Sequence, residues 1–557
     1  MAHLRRRAAR PPWPRLGFIR PSGSADSNPK TGSALDSGCE GAHTLAINER
    51  SLRRLGTIPS KGDLTHMAQD EQVVAHAAES PAHDGEIPQG LRGHMGVFDI
   101  VFTVLAFNAP MSVFVGFITV IIGYGNGLGT PVTYLGAGLL MMLFGVGFTA
   151  MSRYLPNPGA FYSYITAGLG RPLGLGAAFV ALVSYVFILI GGYAFGGLSF
   201  QVLVRDTFHG PDIPWYVYTA SVMLIVGVLG FFRIALSARI LTVFMCGEVM
   251  MMIAYDVAVL FKGGAEGIKF DSFAPSAITS GSVGLAALFG IVCFSGFEAT
   301  AIFREEARDP ERTVPRATYV AILVLAGLYF ATSFLMIIGI GVDKVVGLSA
   351  ADPTGTALGT ALVYLGRMGT DVITVLLVTS IFAANLATHN VTTRYIYSLS
   401  VDRIFPKALS RVHHTEVSPH RASITTTVLS LLALGACVLF KGDATTLYAV
   451  LVGIGGYSLI MLLLLTSFGV IGYFRRHPEL EVHFWKSVVA PVGAIGGLII
   501  ALYLATKNVA VMIGGNQGLA NFLVGLFLGL LVLGIVVAFV LRRTHPDVYR
   551  KIGRQDI

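Results

Sequence analysis

Charged residues are scarce in this chain of 557 residues, because Asp, Glu, Lys and Arg together make up only 13% of it. A soluble domain carries about 25% charged residues, so the composition excludes an ordinary soluble globular protein. Hydrophobic residues account for 54%, in long runs separated by short charged connections. The formal charge of +8 does not indicate nucleic-acid binding, because the Lys and Arg residues fall between the apolar runs. The composition therefore predicts a polytopic membrane protein surrounded by lipid.

Cysteine is also scarce, and the recognisable catalytic motifs are missing. The four cysteines, Cys39, Cys246, Cys293 and Cys437, are far apart and form no CxxC or metal-ligand spacing. The chain contains no HExxH or GxSxG motif. The sequence therefore predicts no metal site, no cofactor and no enzymatic activity.

Twelve apolar segments of about the ~20 residues that a bilayer requires follow one another from Val97 onward. They cover residues 97–123, 131–152, 173–203, 214–232, 238–261, 283–303, 317–341, 370–398, 422–440, 445–473, 487–506 and 519–541. Most Lys and Arg residues of the connections fall on one side when the segments are threaded alternately. By the positive-inside rule that side is cytoplasmic, which predicts a cell-membrane protein with both termini inside.

The first and sixth segments are both interrupted near their middle. In the first, Asn108 and Ala109 precede Pro110, Met111 and Ser112, and proline breaks or kinks a helix because it lacks an N–H group.

In the sixth segment the interruption is Ser295-Gly296. A proline kink alone is common in membrane helices, but paired interruptions in two halves of a chain indicate a transporter site near the midplane. The freed N–H groups and carbonyls would face the charged ends of a substrate.

Two acids lie at membrane depth, Glu298 after the sixth-segment interruption and Glu248 in the fifth segment. An ionisable residue inside a membrane indicates a path for a solute or for protons. Glu298 could bind a substrate ammonium group, take up a proton, or pair structurally with another span. Glu248 is a second candidate for proton coupling, and a hydrogen bond between spans is its structural alternative.

The eighth segment carries Thr388 and His389 among other polar residues. His389 could bind substrate or relay protons, although a lone membrane histidine is often a structural hydrogen-bonding residue. Phe297, beside Glu298, could stack on a substrate. A sodium site would require hydroxyl groups one turn before Thr388, where the chain has Ala383-Ala384, so proton coupling or plain exchange is favoured.

Two connections have features of their own. Residues 153–171 are aromatic and punctuated by Gly and Pro, which predicts a short cytoplasmic re-entrant or interfacial segment. Residues 351–366 predict an external amphipathic helix that acts as a lid. The charge run 304–316 is a solvated loop by default, and an inner gate of exchanging ion pairs is the alternative.

Three motifs resemble those of the amino acid–polyamine–organocation (APC) permeases. They are GFEATAIFREEARDPERTVPRA in the sixth segment, PNPGAFYSYITAGLGRPLG before the third, and RYIYSLSVDRIFPKALSRVH with SPHRAS after the eighth. The resemblance implies a LeuT-like all-α fold of 12 transmembrane helices, with two inverted five-helix repeats, discontinuous helices 1 and 6, and two accessory helices. It departs from the family at residues 110–112, where a Gly-(Ser/Ala)-Gly element is usual and Pro110 donates no N–H.

The expected organisation has four parts. They are a disordered cytoplasmic tail (1–94), a ten-helix transport core (95–473), two accessory helices (474–541) and a short basic cytoplasmic tail (542–557).

The expected function is secondary active transport of an amino acid or related amine by alternating access, coupled to protons. Ala109, Pro110, Met111, Ser112, Ser295, Gly296, Phe297, Thr388 and His389 are the candidate substrate-binding residues, and Glu298 and Glu248 the candidate proton-coupling residues. The alternatives are an exchanger without proton coupling, a passive facilitator or channel, and a membrane receptor that signals through its tail.

Overall fold

The computed structural model describes residues 95–155, 160–232, 238–298, 300, 307–411, 419–440 and 442–553. Within these residues the secondary structure is helical, apart from one isolated bridge between Met95 and Ala307. The predicted tail 1–94 lies outside the described residues, as do residues 301–306 of the predicted charge run.

Eighteen α-helices occur in the described part of the chain. They are α1 (Val97–Asn108), α2 (Pro110–Ser112), α3 (Ile118–Tyr124), α4 (Thr130–Ser152), α5 (Ala160–Leu169), α6 (Arg171–Val202), α7 (Trp215–Phe231), α8 (Ala238–Lys262), α9 (Pro275–Ile278), α10 (Val283–Val292), α11 (Pro310–Ile340), α12 (Val345–Ala351), α13 (Pro353–Val401), α14 (His420–Leu439), α15 (Ala444–Arg476), α16 (Ala490–Met512), α17 (Gln517–Thr544) and α18 (Pro546–Lys551). Turns of π-helix occupy Val113–Phe117, Leu203–Thr207 and Trp485–Val489. Short 3₁₀ turns occupy Gly127–Gly129, Asp271–Phe273, Lys407–Ser410 and Pro478–Leu480.

Ten helices in the described residues are long and apolar enough to cross a membrane, counting Val97–Tyr124 as one. Two shorter apolar helices, α7 and α10, fall within the fourth and sixth predicted segments. The first of these ten helices is central and the last, α17, is peripheral. In Val97–Tyr124, 89% of the apolar window is buried, whereas in α17 only 17% of the corresponding window is buried. The chain is therefore an all-helical, multi-pass membrane protein.

The first membrane helix is interrupted at Ala109. This residue ends α1 in the left-handed conformation, with φ 49° and ψ 67°. Pro110 then begins α2, and the π-helical turn and α3 continue to Tyr124. A proline ring excludes the regular hydrogen bond and clashes with the preceding turn, so the sequence ends one half-helix and starts another at this point.

The sixth membrane helix is interrupted at Gly296. Helix α10 ends at Val292, and residues 293–298 form turns in which Gly296 has φ 109°. That conformation is open to glycine because it has no Cβ. Both predicted interruptions thus coincide with non-helical backbone.

The two interrupted helices are joined at one end of the bundle. Met95, just before α1, forms a parallel bridge with Ala307, and its carbonyl accepts from the N–H of Arg308 at 3.0 Å. This backbone pairing links the start of the first helix to the chain that follows the sixth.

The two predicted connecting segments are partly helical. Helix α5 lies within residues 153–171, and residues 156–159 of that segment lie outside the described part. Helix α13 begins at Pro353 and changes direction at Gly366, whose φ is 72°. A helix is therefore present in residues 351–366 as predicted, and its role as a lid stays a prediction.

The chain that follows α18 packs against α5. Ile552 is fully buried, and the N–H of Gly553 donates to the Tyr162 hydroxyl at 2.5 Å. The same hydroxyl donates to a carboxylate oxygen of Asp402 at 2.8 Å. The Tyr162 hydroxyl therefore connects α5, the end of α13 and the chain after α18.

Replacing Tyr162 with phenylalanine removes this shared hydroxyl. Leaving a buried donor without a partner costs about 1–3 kcal/mol. We expect amide hydrogen exchange in residues 546–553 to become about tenfold faster, since about 1.4 kcal/mol corresponds to a factor of ten. Hydrogen–deuterium exchange mass spectrometry measures this effect. The control Tyr503→Phe alters a side chain that is 61% exposed and should leave the segment protected; equal exchange in both variants would contradict the docking.

Candidate functional site

A cavity lies between the two helix interruptions, with about 760 Å³ of empty space including its mouth. Helices α6, α13 and α15 form the remaining walls. The described residues that line it are Phe107, Asn108, Ala109, Ser112, Val113, Phe117, Tyr185, Ile188, Gly192, Phe195, Val292, Cys293, Ser295, Glu298, Ile381, Ala384, Asn385, Thr388, Tyr448 and Val452. Most of these side chains are apolar, and four of the polar ones, Asn108, Ser112, Ser295 and Glu298, belong to the two interruptions.

The carboxylate of Glu298 accepts a hydrogen bond from the backbone of the sixth-helix interruption. Its Oε2 accepts from the N–H of Gly296 at 2.8 Å, and its Oε1 accepts from the Tyr185 hydroxyl at 3.1 Å. The side chain is only 8% exposed. Glu298 therefore lines the cavity while it satisfies one backbone group that the interruption frees.

Glu248 does the same for the first-helix interruption from a different helix. Its Oε2 accepts from the N–H of Met111 at 3.1 Å and from the Ser380 hydroxyl at 2.8 Å. Glu248 lines a separate apolar cavity of about 1050 Å³, whose wall includes the exposed side chains Ile225 and Phe244. It therefore contacts the first interruption from α8, outside the cavity between the two interruptions.

The charge on the described cavity wall is of one sign. Glu298 is the only charged residue among the described residues that line it, and no Lys, Arg or His occurs there. Three polar atoms of lining residues, Asn108 Oδ1, Ser112 Oγ and the Tyr448 hydroxyl, are buried without a hydrogen-bond partner in the described structure. The charge of the described wall is therefore that of Glu298 alone, and the neutral groups beside it include both acceptors and hydroxyl donors.

An aromatic cluster closes one side of the cavity. Phe195 stacks on Tyr448 with centroids 4.3 Å apart, and Phe117 lies 5.3 Å from the same tyrosine. All three side chains are buried, whereas Phe107 and Ser295 at the other side of the cavity are partly exposed. The Phe117, Phe195 and Tyr448 rings therefore form the closed side in this conformation.

The structure brings several predicted site residues together. Ala109, Ser112, Ser295, Glu298 and Thr388 all line the cavity.

The other residues of the interruptions act from behind the cavity wall. Met111 is buried, and its N–H is already bonded to Glu248. Gly296 faces Phe107, which a Cβ at this position would overlap. Pro110 starts α2 and contributes no N–H. The expectation that freed N–H groups await a substrate carboxylate is not supported at Met111 and Gly296, because glutamates already occupy both.

Two predicted substrate contacts point elsewhere. Phe297 is 1% exposed and packs edge-on against Phe144 at 5.6 Å. His389 is fully buried and its Nε2 shares a hydrogen bond with Ser423 on α14 at 3.1 Å. The structure places neither residue in the cavity, and the structural alternative for His389 agrees with its contact.

The sequence did not predict most of the residues that form the closed side of the cavity. Tyr448, Phe117 and Phe195 carry no local signal, because aromatic residues are common in membrane helices. Tyr185 and Asn385 offered a weak signal as polar groups at membrane depth, and both line the cavity. Among the residues that the structure describes, no group of His, Cys, Asp and Glu is arranged to hold a metal ion.

Comparisons with known proteins agree with a transporter. A family model described as amino acid permease matches residues 100–535. The chain is 22% identical to the low-affinity putrescine importer PlaP of Escherichia coli K12, over 76% of this chain and 91% of that protein. It is 24% identical to the branched-chain amino acid permease BcaP of Bacillus subtilis, over 83% and 95%. It is also 22% identical to the methylthioribose transporter of B. subtilis, over 65% and 77%.

Substituting Gly296 with alanine should disrupt the sixth-helix interruption. The backbone there has φ 109°, and a Cβ would overlap Phe107. Such a conformation costs about 1–3 kcal/mol for a residue with a side chain, so we expect a lower melting temperature in detergent. Gly327→Ala is the matched control, because a Cβ there meets no atom within 4 Å. If both variants melt at the wild-type temperature, the geometry assigned to Gly296 is wrong.

Proposed function

Because the chain belongs to the amino acid permease family within the APC superfamily, we propose that it carries an amino acid or a related amine across the cell membrane by alternating access. The observation that supports this most directly is the composition of the cavity wall. Glu298 is the only charged side chain among the described lining residues. An ammonium group would meet the carboxylate of Glu298 there.

The proposal includes a LeuT-like arrangement of twelve membrane-spanning helices with both termini in the cytoplasm. Its support is the number and order of the apolar helices in the described residues, together with the interruptions at Ala109 and Gly296. The positive-inside pattern of the connections supports the orientation.

The cavity suits an amine better than the carboxylate of an amino acid. A substrate carboxylate needs N–H or O–H donors or a basic side chain, and the N–H groups of Met111 and Gly296 already bond to glutamates, which leaves the hydroxyl groups of the cavity wall. The described lining residues include no basic side chain. A small amine requires only acceptors and an apolar wall, and one of the relatives is named as a putrescine importer. We therefore propose an aliphatic amine as the preferred substrate class.

Proton coupling is assigned to Glu248 and substrate binding to Glu298. A charge-assisted hydrogen bond is about twice as strong as a neutral one, so protonation of Glu248 would weaken its hold on the Met111 N–H. The first interruption could then reorient, and the helices that contain the interruptions would rock against the scaffold. The alternative is amine exchange without protons. It would use the same cavity, and the hydrogen bonds of Glu248 would then be purely structural.

Removing the charge at Glu298 should abolish substrate binding. Reconstituted wild-type protein is expected to accumulate putrescine under an inward proton gradient, and Glu298→Gln is expected to lose at least tenfold of that uptake. Glutamine keeps an acceptor for Gly296, so the fold should persist, which a melting curve checks. Asp256→Asn is a matched control, because Asp256 is a buried acid that bonds to Thr332 away from the cavity. Failure of the wild type to accumulate or exchange amines and amino acids alike would reject the proposed function.

The variant Glu248→Gln separates coupling from binding. Glutamine can still accept from Met111 and Ser380, but it cannot change its charge. We expect the dependence of uptake on external pH to be lost, while amine exchange at equal pH on both sides continues. A variant with the same pH dependence as the wild type would assign coupling to another group and favour exchange without protons at Glu248.

A further inference from the structure

A polar cavity lies at the end of the bundle where α4 ends and α11 begins. It holds about 720 Å³ of empty space, including its mouth, and shares no lining residue with the substrate cavity. The described residues that line it are Val146, Thr149, Ala150, Arg153, Tyr154, Pro315, Tyr319, Glu481, Val482, His483 and Lys486. Its wall combines the ends of two membrane helices with the connection that precedes α16.

Hydrogen-bond donors converge on this cavity. Arg153 and Lys486 bring two positive charges, against one negative charge from Glu481. Part of the wall is pre-positioned, because Arg153 donates to the carbonyl of Glu311 at 2.9 Å and Thr149 contacts the Tyr319 hydroxyl at 3.2 Å. Arginine and lysine are the side chains that bind phosphate groups in proteins. The chemistry of the wall thus matches an anion.

Apolar surface begins directly beside the donors. On α4, Val146 lines the cavity and Leu139, about two turns along the helix, is 65% exposed. On α11, Leu323 lies one turn from Tyr319 and is 63% exposed. Trp485, next to Lys486, is half exposed, as is typical of side chains at the level of lipid headgroups. A ligand of this cavity can therefore be amphiphilic, with its anion among the donors and its chains along α4 and α11.

We propose that this cavity binds the phosphate group of a membrane glycerophospholipid. Lys486 and Arg153 hold the phosphate, and the acyl chains lie over Leu139 and Leu323. A soluble phosphate would use the same donors but would gain nothing from the apolar faces. The lipid is therefore the occupant, and the site is separate from the transport cavity.

The test measures the melting temperature of the purified, delipidated full-length protein in detergent. Phosphatidylglycerol in mixed micelles is the lipid probe, diacylglycerol with the same chains lacks the phosphate, and inorganic phosphate lacks the chains. A ligand that binds only the folded state raises the melting temperature. We expect a rise with phosphatidylglycerol and none with diacylglycerol or with inorganic phosphate at the same concentration.

Variants then locate the effect. Lys486→Gln should weaken the apparent affinity for phosphatidylglycerol about tenfold, which corresponds to about 1.4 kcal/mol. Lys507→Gln, which removes an exposed lysine near the other end of α16, should bind like the wild type. The proposal is overturned if Lys486→Gln responds as the wild type does, if diacylglycerol stabilises equally, or if inorganic phosphate alone reproduces the shift.

Discussion

The cavity between the two helix interruptions depends on two hydrogen bonds from interrupted backbone to buried glutamates. An N–H group without a partner inside a bilayer costs several kcal/mol, so a helix can be interrupted there only if another group replaces the lost bond. Glu248 replaces it at Met111, and Glu298 replaces it at Gly296. Each carboxylate thus stabilises the backbone geometry around the cavity, and each is costly to bury without such a donor.

This arrangement also determines the sign of the charge on the cavity wall. Because the protein supplies its own carboxylates to the freed donors at Met111 and Gly296, Glu298 is the one charged group among the described residues of the cavity wall. Tyr185 fixes the second oxygen of Glu298 from the facing helix. Glu298 therefore serves both as structural support and as the proposed ligand contact, whereas Glu248 supports the backbone from outside the cavity.

The sequence predicted both interruptions, because proline and glycine act locally through their own backbone. It predicted individual contacts less well, since successive residues of a helix point about 100° apart. Thr388 faces the cavity, so its neighbour His389 faces α14. Phe297 similarly turns away from the side that Glu298 occupies. The Phe195–Tyr448 stack joins helices distant in the chain, and a single sequence contains no local pattern that pairs them.

The bond between Met111 and Glu248 also constrains the order in which the protein is made. The two residues are 137 positions apart, and a ribosome that adds about 5–20 residues per second needs roughly 7–27 s to cover that distance. During this interval the newborn first span has no glutamate beside it. The Met111 N–H therefore gains its carboxylate partner only when the fifth span arrives in the bilayer, so the cavity between the two interruptions is completed late.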